Sequence, residues 1–352
     1  MTKLRDICRF QSGGTPSRGT PAYFNGNVPW ITTVALNGDV IDGNQAIEWI
    51  TDEAIAKSAA KIVPPHSVMV GTRVGIGKVA INSVPMSTSQ DIISLIGIDE
   101  NKWDKKFICH LITANKEHLT SQARGATIKG IKIEAIADLV LPEISLKEQA
   151  RISEVIGKVD ALMHMHQQMA MNLEQLIKSR FIELFGDPET NPKGWTRQRL
   201  DQICENLDSR RVPITSTDRK AGNYPYYGAS GIVDYVKDYI FDEDILLISE
   251  DGANLVMRST PIAFSVSGKV WVNNHAHVVR FESKATQKYI EICFALTDIS
   301  GSITGTAQPK LNQAKLNAMM FCVPPIELQE QFATFVEQTD KSKLCGKMEV
   351  AA

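Results

Sequence analysis

The sequence contains one arrangement twice, and this internal duplication limits the possible folds more than any other feature. The segment KLRDIC near the amino terminus resembles RLDQIC near the middle of the chain, so that Leu4 matches Leu200 at an offset of 196. Further along, GATIKGIK resembles GTAQPKLN, which pairs Gly125 with Gly305 at an offset of 180. Matches that keep their order at similar spacing indicate a repeat rather than chance.

Each copy ends on a similar boundary, LPEISLKEQ in the first and VPPIELQEQ in the second. Aligning their prolines pairs Pro142 with Pro324 and Gln149 with Gln331, at an offset of 182. Small changes of offset are expected where loops gain or lose residues. The repeat is far longer than the units of a solenoid, so a chain of 352 residues is predicted to form two globular domains.

A long helical pattern separates the two copies. Ser145 and Glu148 have the spacing of a capping box, and Gly186 with Pro188 predicts that the helix ends after Phe185. At ~1.5 Å per residue this helix would be roughly 60 Å long. Its apolar residues form a heptad seam, which needs a partner, and the natural candidate is the helix after the second boundary. The seam consists of Ile152, Val155, Val159, Leu162, Met169, Leu173 and Leu176.

Outside this helix the pattern is mixed. Six segments are typical of strands: VPWITTVAL, SVMVGTRV, DIISLIGI, DILLIS, KVWVN and HVVRF. Two are typical of short amphipathic helices: WDKKFICHLITANKEHL and KYIEICFALTDI. Each copy is therefore predicted to be an α+β domain with a mixed sheet and short helices. The predicted division is 1–141 and 187–322 for the two domains, 142–186 for the central helix, and 323–352 for a second helix and tail.

Composition excludes several classes of protein. A net charge of −2 excludes a bulk polycation, although a local basic face is still compatible with DNA binding. The six cysteines are scattered without a CxxC, so neither a zinc site nor a disulfide framework is expected. They are expected to be free thiols in a reducing cytoplasm. The first residues do not resemble a signal peptide, and no apolar run approaches the ~18 residues of a membrane span. A soluble cytoplasmic protein is expected.

The sequence offers no recognisable catalytic motif. GTRVGIGK, from Gly71 to Lys78, has the wrong spacing for a phosphate-binding loop, and Val79 follows where Ser or Thr is needed. Dinucleotide-binding, amino-methyltransferase, hydrolase-elbow and zinc-protease patterns are also missing. His275 and His277 would share one face of a strand. With no third ligand near them in sequence, hydrogen bonding or packing is predicted for them, and no metal site.

Several loops concentrate the side-chain types that read base edges and phosphates. Polar loops are usually just solvated, so for any single residue the alternative of no base contact stays open. The loops around Gly125 and Gly305 recur at equivalent places, which favours a shared task. In the first copy the candidates are Thr72, Arg73, Lys78, Ser89, Gln90, Arg124, Thr127, Lys129 and Lys132. In the second they are Arg210, Arg211, Asn254, Arg258, Asn273, Asn274, His275, Gln308, Lys310, Asn312 and Gln313.

At this point the chain resembles a known family, the specificity (S) subunits of type I restriction–modification systems. The second copy carries the more specific match, through the stretch from YPYYGASGIVDY to NNHAHVVRF, then GTAQPKLN and VPPIELQEQF. The first copy matches through GTRVGIGKVAI, STSQDI, GATIKGIK and LKEQARI, and the central helix through its terminal FGDP. The resemblance covers nearly the whole chain.

The resemblance implies that 1–141 and 187–322 are target recognition domains, each reading one half of a split site on double-stranded DNA. The spacer helix 142–186 and its counterpart in 323–352 would pair antiparallel and set the distance between the half-sites. Two modification (methyltransferase) subunits would bind the chain, and restriction (translocase–nuclease) subunits would join that core. S-adenosylmethionine, ATP and Mg²⁺ would bind those partners, so no cofactor is expected on this chain.

The end of the chain departs from the family pattern. Where a long second helix would continue after QEQFATFVEQTDKSK, the sequence reads LCGKMEVAA, which predicts a shortened helix of a few turns. Either the subunit is truncated or frameshifted and acts in assembly or partial-site binding, or another chain supplies the missing contact. Two other classes stay open. A fused enzyme would bind S-adenosylmethionine, and a pure assembly protein would keep its DNA affinity after charge removal at Arg73, Lys129 and Lys310.

Overall fold

The computed structural model describes residues 1–38, 40–125, 129–305 and 307–351, without the side chains of residues 343–351. Thr127 lies outside the described residues. The chain forms two compact units, residues 1–162 and 163–352. The boundary between them lies inside the long central helix, so this helix belongs to both units. Within the described residues, no helix is long and apolar enough to cross a membrane.

The first unit is built from short strands and helices. Its strands are β1 (Arg9–Ser12), β2 (Val28–Ile31), β3 (Val40–Ile41), β4 (Glu48–Ile50), β5 (Ile62–Val63), β6 (Val68–Gly71), β7 (Val79–Asn82), β8 (Met86–Thr88) and β9 (Ile92–Ile96). Its helices are α1 (Asp52–Lys57), α2 (Lys105–Ala114), α3 (Lys116–Ser121) and α4 (Ile133–Ala137), followed by the shared helix α5 (Leu146–Phe185). Turns of 3-10 helix occupy Leu4–Asp6, Pro21–Phe24 and Thr33–Ala35.

These strands form two sheets, in the orders β1-β9-β6-β7-β3 and β4-β2-β8-β5. All four residues of β6 are buried, as expected for a strand that is covered on both faces. In the second sheet β2 and β8 run parallel. Their carboxyl ends therefore meet at one edge, and the loops that leave this edge lie close together.

The second unit follows the same plan. Its strands are β10 (Arg197–Arg199), β11 (Glu205–Asn206), β12 (Ala221–Gly228), β13 (Gly231–Val236), β14 (Phe241–Asp242), β15 (Ile245–Ser249), β16 (Ala263–Val266), β17 (Lys269–Val272), β18 (Ala276–Arg280) and β19 (Met320–Cys322). Its helices are α6 (Leu200–Ile203), α7 (Asn254–Met257), α8 (Lys284–Leu296), α9 (Gln313–Asn317) and α10 (Ile326–Ala351), with 3-10 turns at Asp208–Arg210 and Ser300–Ser302.

Strand order confirms the duplication. The sheet β11-β18-β15-β16 repeats the order β1-β9-β6-β7, and β13-β12-β17-β14 repeats β4-β2-β8-β5, with β12 and β17 again parallel. β3 is an addition of the first unit, and β10 pairs with β19 in a small sheet of the second. All six predicted strand segments contain a strand, and the predicted helix WDKKFICHLITANKEHL is divided into α2 and α3. The predicted α+β class is confirmed.

The alignment of the two boundaries was wrong by two residues. α5 begins at Leu146 and α10 at Ile326, an offset of 180 rather than 182. Gln149 and Gln329 are 1% and 2% exposed, and each donates to a carbonyl oxygen five residues earlier. Gln331, which the matched prolines had paired with Gln149, is exposed. The buried glutamine at each helix start, rather than the position of the proline, shows which residues of the two boundaries are equivalent.

The predicted ends of the central helix are close to the observed ones. The Ser145 hydroxyl accepts a hydrogen bond from Glu148 N at 3.2 Å, as a helix cap does. At the other end Gly186 has a φ of +79° and follows Phe185, the last helical residue. This left-handed conformation favours glycine and ends the helix.

Most residues of the predicted seam, however, do not pack against other residues of the described chain. Ile152 and Leu173 are partly buried, whereas the other five seam residues are 39–54% exposed: Val155, Val159, Leu162, Met169 and Leu176. The last turns of α5 are buried instead, through Ile177, Phe181 and Phe185, in the core of the second unit. There Phe181 and Phe185 pack against the rings of Tyr289 and Phe332, with centroids 4.8–5.5 Å apart.

α10 packs against this buried end of α5. Phe332 contacts Phe181 and Phe185, with ring centroids 5.5 and 5.4 Å apart. One turn further along α10, Val336 joins Ile177, which lies one turn earlier in α5. The two helices therefore run in opposite directions here. α10 continues through LCGKMEVAA to Ala351 and has 26 residues against 40 in α5, so the predicted shortened second helix is confirmed, with its last turns in the segment expected to be a tail.

Candidate nucleic-acid interface

Three polar segments of the first unit meet where β6 and β8 end. Thr72 N donates to Asp91 O at 2.8 Å, which joins the loop after β6 to the segment after β8. Ile131 N donates to Thr72 O at 2.8 Å, which adds the segment before α4. We name this meeting point the unit 1 junction and define it by residues 72–78, 89–91, 124–125 and 129–132.

The second unit contains the same junction, held by the same backbone bonds. Glu250 N donates to His275 O at 2.9 Å, and Leu311 N donates to Glu250 O at 2.8 Å. Glu250 thus occupies the position of Thr72, and His275 that of Asp91. The unit 2 junction is defined by residues 250–258, 273–275, 304–305 and 307–312. Most loops that the sequence singled out therefore come together, one set in each unit.

The two junctions carry different side chains on this common frame. In unit 1 the Arg73 guanidinium lies 3.6 Å from the Asp91 carboxylate. In unit 2 the equivalent pair is inverted, with the Asp251 carboxylate 2.9 Å from His275 Nδ1. A side chain at Gly130 would clash with Arg73, because its Cβ would lie 2.8 Å from the Arg73 Cγ. Unit 2 instead has the shorter Asp251 and places Lys310 at the position of Gly130.

Ten of the predicted contact residues are accessible at these junctions. Arg73, His275 and Lys310 are about half exposed but already face an acidic partner. The others are exposed, and direct DNA contact stays a prediction for all ten. The exposed set comprises Lys78, Gln90, Arg124, Lys129, Lys132, Asn274 and Gln308.

Five other predicted residues are buried at the junctions or brace their turns. The side chains of Thr72, Ser89 and Asn273 are 4–6% exposed. Asn254 braces its loop by accepting hydrogen bonds from Ser259 and Thr260, and Asn312 caps α9 by accepting from Lys315 N at 2.9 Å. The same side chains that suit base recognition also cap and brace turns, so sequence alone did not separate the two roles.

Two of the predicted arginines are bound to the protein. Arg210 pairs with Glu243 at 2.7 Å and lies over the Phe241 ring, 4.5 Å from its centroid. Arg258 has a left-handed φ of +52° and donates to two carbonyl oxygens at the end of α8, at 2.7 and 3.0 Å. Burial lowers the pKa of the Arg258 guanidinium, which the helix end stabilises as a cation. In the described structure both guanidinium groups are therefore engaged by the protein rather than free to contact DNA.

A buried ionic network lies directly under the unit 2 junction. Arg211, only 13% exposed, donates to Glu250 at 2.6 Å and to Ala276 O at 2.8 Å. Lys310 reaches the other oxygen of Glu250 at 3.0 Å. His277 and Asp208 complete the network through a contact of 2.5 Å between Nδ1 and Oδ2. The network ties the loop after β15 to the segment before α9.

Hydrogen bonding fixes the charge states in this network. His277 Nε2 faces Leu311 O at 2.7 Å, so it carries a hydrogen, while Nδ1 faces the Asp208 carboxylate. Burial is the largest influence and would raise the pKa of Asp208, but hydrogen bonds from His277 and Val278 N, together with the nearby positive charge of Arg211, lower it on balance. The lowered pKa favours the ionised form of Asp208, and both ring nitrogens of His277 face oxygen atoms that accept hydrogen bonds.

Glu250 is ionised for a similar reason. Burial would raise its pKa, but hydrogen bonds from Arg211 and Lys310 lower it on balance. Asp208, Glu250 and His277 offer ligand atoms within 4.8 Å of one another, a spacing that a metal ion could use. The described geometry favours an ion-pair network instead, because Arg211 and Lys310 already supply positive charge to these carboxylates and both ring nitrogens of His277 face oxygen atoms of the protein.

Sequence reasoning missed Asp208 and Glu250. His277 and Asp208 lie 69 residues apart, so no local pattern connects them. It also placed His275 and His277 on one face of a strand, whereas His275 precedes β18 and the two bind different acids, Asp251 and Asp208. His277 is fully buried and His275 is 52% exposed by its side chain. The one available signal was a histidine directly before the two valines of the predicted strand HVVRF.

Two similar domains, each with a polar loop junction, and one long helix that continues from one domain into the other define a duplicated binding protein. The chain belongs to the family described as type I restriction modification DNA specificity domain, whose model matches residues 1–175 and 192–346.

Curated relatives agree with this assignment. The chain is 24% identical to the type I restriction enzyme MjaIX specificity subunit of Methanocaldococcus jannaschii, over 96% of this chain and 85% of that protein. It is 30% identical to the EcoR124I/EcoR124II specificity subunit of Escherichia coli, over 45% of this chain and 40% of that protein. The fold is also that of a type I restriction–modification S subunit from M. genitalium, with a TM-score of 0.61 and 16% identity over 99% of this chain and 91% of that one.

Proposed function

We propose that this chain is the non-catalytic DNA-reading subunit of a type I restriction–modification complex, in which each unit reads one half of a bipartite site. The observation that carries the proposal is the junction that occurs twice on one backbone frame with different side chains. Adenine methylation with S-adenosylmethionine, and cleavage with ATP and Mg²⁺, are assigned to partner subunits. The proposal extends the family membership to the specific task of each half of the chain.

The inverted charge pairs support two different half-sites. Base pairs differ in the donors and acceptors that they present in the major groove. A junction that presents Arg73 and Lys78 offers donors, whereas one that presents Asp251 and Asn274 also offers acceptors. The backbone bonds at Thr72 and Glu250 keep the frame constant while these side chains change. Two such junctions fit an asymmetric site better than a palindrome.

The exposed seam of α5 supports the second part of the proposal, in which this helix docks the modification subunits and sets the half-site spacing. Val155, Val159 and Leu162 follow one another on one helix face and are 54%, 46% and 49% exposed. Contiguous exposed apolar surface on a soluble protein marks an interaction site.

Co-expression with the cognate modification subunit, followed by sequencing of methylated adenines across the host genome, tests the proposal. We expect a bipartite, asymmetric site. A chain with Asn274→Ala and Gln308→Ala should change only one half of that site, and the matched control Gln90→Ala with Lys78→Ala should change only the other. A contiguous site, or the absence of methylation despite an assembled complex, would argue against two independent reading units.

A further inference from the structure

We propose that the ionic network under the unit 2 junction, with Lys310 and Glu250 at its centre, positions that junction for DNA reading, so that Lys310 acts through the protein rather than on a phosphate. The inference rests on the proposed function, because it concerns how one of the two units reads its half-site. It also implies that DNA reading by the second unit depends on a buried ionic network, whereas reading by the first unit does not.

The first step is the geometry of Lys310. Its segment forms a backbone bridge with Thr304 on one side and with Asp251 on the other. Its Nζ lies 3.0 Å from a Glu250 oxygen, and Glu250 is 9% exposed. An ion pair with a nearly buried carboxylate is screened less by salt than a surface pair. Lys310 is therefore held by the protein before any DNA arrives.

The second step is what lies behind Glu250. Its other oxygen accepts from Arg211 at 2.6 Å, and Arg211 also donates to Ala276 O at the start of β18. Asp208 accepts from Val278 N at 2.8 Å, which fixes the network to the same strand. All three segments of the junction are thus connected to one rigid strand. Hydrogen bonds to a rigid strand can hold the side chains of the loops in the positions that recognition requires.

The third step is the contrast with unit 1. Strand register and backbone bonds give three members of the network an equivalent position there, and none of the three equivalent residues is charged. At these positions the loops of unit 1 are joined by backbone bonds and by the Thr72 hydroxyl, which donates to Asp91 O at 3.0 Å, without an ion pair. The residues that replace Glu250, His277 and Lys310 are Thr72, Ile93 and Gly130.

Two consequences separate positioning from phosphate contact. A phosphate-binding lysine contributes equally to every DNA sequence, and its loss lowers the slope of log affinity against log salt by about 0.9. A positioning lysine contributes to the difference between correct and incorrect bases. Its loss should remove part of the roughly 5- to 150-fold discrimination that one base pair provides, with the salt slope unchanged.

The experiment uses the complex of the full chain with its modification subunits, bound to the bipartite site and to sites with one mismatch in either half. Lys310→Met should lower discrimination in the half read by unit 2 by about fivefold or more, at an unchanged salt slope. Lys310→Arg keeps the pair with Glu250 and should restore discrimination. Lys220→Met removes the same charge before β12, at the end of that strand opposite the junction, and should change neither quantity.

Glu250→Gln provides the second arm and a double-mutant cycle. If Lys310 acts through Glu250, the double variant should discriminate no worse than either single variant. Additive effects, or a Lys310→Met complex with a lower salt slope and full discrimination, would show that Lys310 binds phosphate and would overturn the inference. Loss in both halves would also overturn it. If the unmodified complex itself shows no bipartite preference, the proposed function fails instead, so the two failures are distinguishable.

Discussion

Gln149 and Gln329 occupy the same position at the starts of their helices, although they lie 180 residues apart. Each is buried and donates from Nε2 to the carbonyl oxygen five residues earlier, at 3.2 and 2.7 Å. Gln149 makes two further bonds, accepting from Asp104 N at 3.0 Å and donating to Lys102 O at 3.1 Å. It therefore fixes α5 to the loop before α2, whereas Gln329 fixes only its own turn among the described contacts.

We expect the three glutamines near these helix starts to differ in their contribution to stability. Gln149→Met leaves buried donors and acceptors unpaired and should lower the free energy of unfolding of unit 1 by about 2 kcal/mol. Gln329→Met should cost less, because the Gln329 Oε1 has no partner to lose. The exposed Gln331→Met is the control and should stay within about 0.5 kcal/mol. Urea denaturation measures all three, and an equal cost for Gln331 and Gln149 would contradict the assigned equivalence.

Sequence patterns predicted what depends on local residues. The strands around Val68 and Ile245 were clear because runs of apolar residues have a strand periodicity wherever the chain folds. The side chains of Asp208 and Glu250 were missed because their partners are distant in sequence. The seam of α5 was a true periodicity, but Ile177, Phe181 and Phe185 also recur at four-residue spacing. That signal could have identified the buried end of the helix.

Two buried hydroxyls of unit 1 should be dispensable. Thr88 Oγ1 and Ser94 Oγ have no hydrogen-bond partner among the described residues. Strand register places Val272 and Val278 at the equivalent positions of unit 2, where both are fully buried. Thr88→Val exchanges an unpaired hydroxyl for a methyl group and should raise the free energy of unfolding of unit 1 by about 1 kcal/mol.

The reciprocal change in unit 2 is the matched control for this exchange. Val272→Thr introduces an unpaired hydroxyl into an apolar core and should cost about 1–3 kcal/mol. Thermal or urea unfolding of both variants measures the pair. A destabilised Thr88→Val chain would indicate that the hydroxyl binds a buried water molecule.

Stability of the second unit should depend on pH through Glu250. Burial would raise its pKa, but its hydrogen bonds from Arg211 and Lys310 lower the pKa on balance. When folding lowers the pKa of a carboxyl, the ionised group stabilises the fold at pH values above its ordinary pKa of about 4.3. This contribution is lost as the pH falls through the pKa of the folded state. The difference in free energy of unfolding between the unmodified chain and Glu250→Gln should therefore be largest near neutral pH and shrink in acid. A difference that is constant with pH would mean that the pKa of Glu250 is the same in the folded and the unfolded chain.

Lys129 and Arg210 should respond differently to charge removal. Lys129 is exposed at the unit 1 junction, so Lys129→Ala should weaken binding to all DNA sequences and reduce the salt slope by about 0.9. Arg210 is engaged by Glu243 and Phe241. Arg210→Ala should leave the salt slope unchanged and slightly lower the stability of unit 2. Fluorescence anisotropy at several salt concentrations measures both, and an identical change of slope would place Arg210 on the DNA as well.

The exposed face of α5 gives the prediction that tests assembly. Val155, Val159 and Leu162 are about half exposed, so glutamate at these positions should leave the isolated chain folded. The same change should weaken binding of the modification subunits, because a charge would be buried at an apolar contact. Phe181→Ala is the contrasting variant, since it opens a cavity in the core and should cost about 3–5 kcal/mol of stability. Circular dichroism of the chain and size-exclusion chromatography of the complex separate the two effects, and unchanged assembly of the triple glutamate variant would exclude this face as the docking surface.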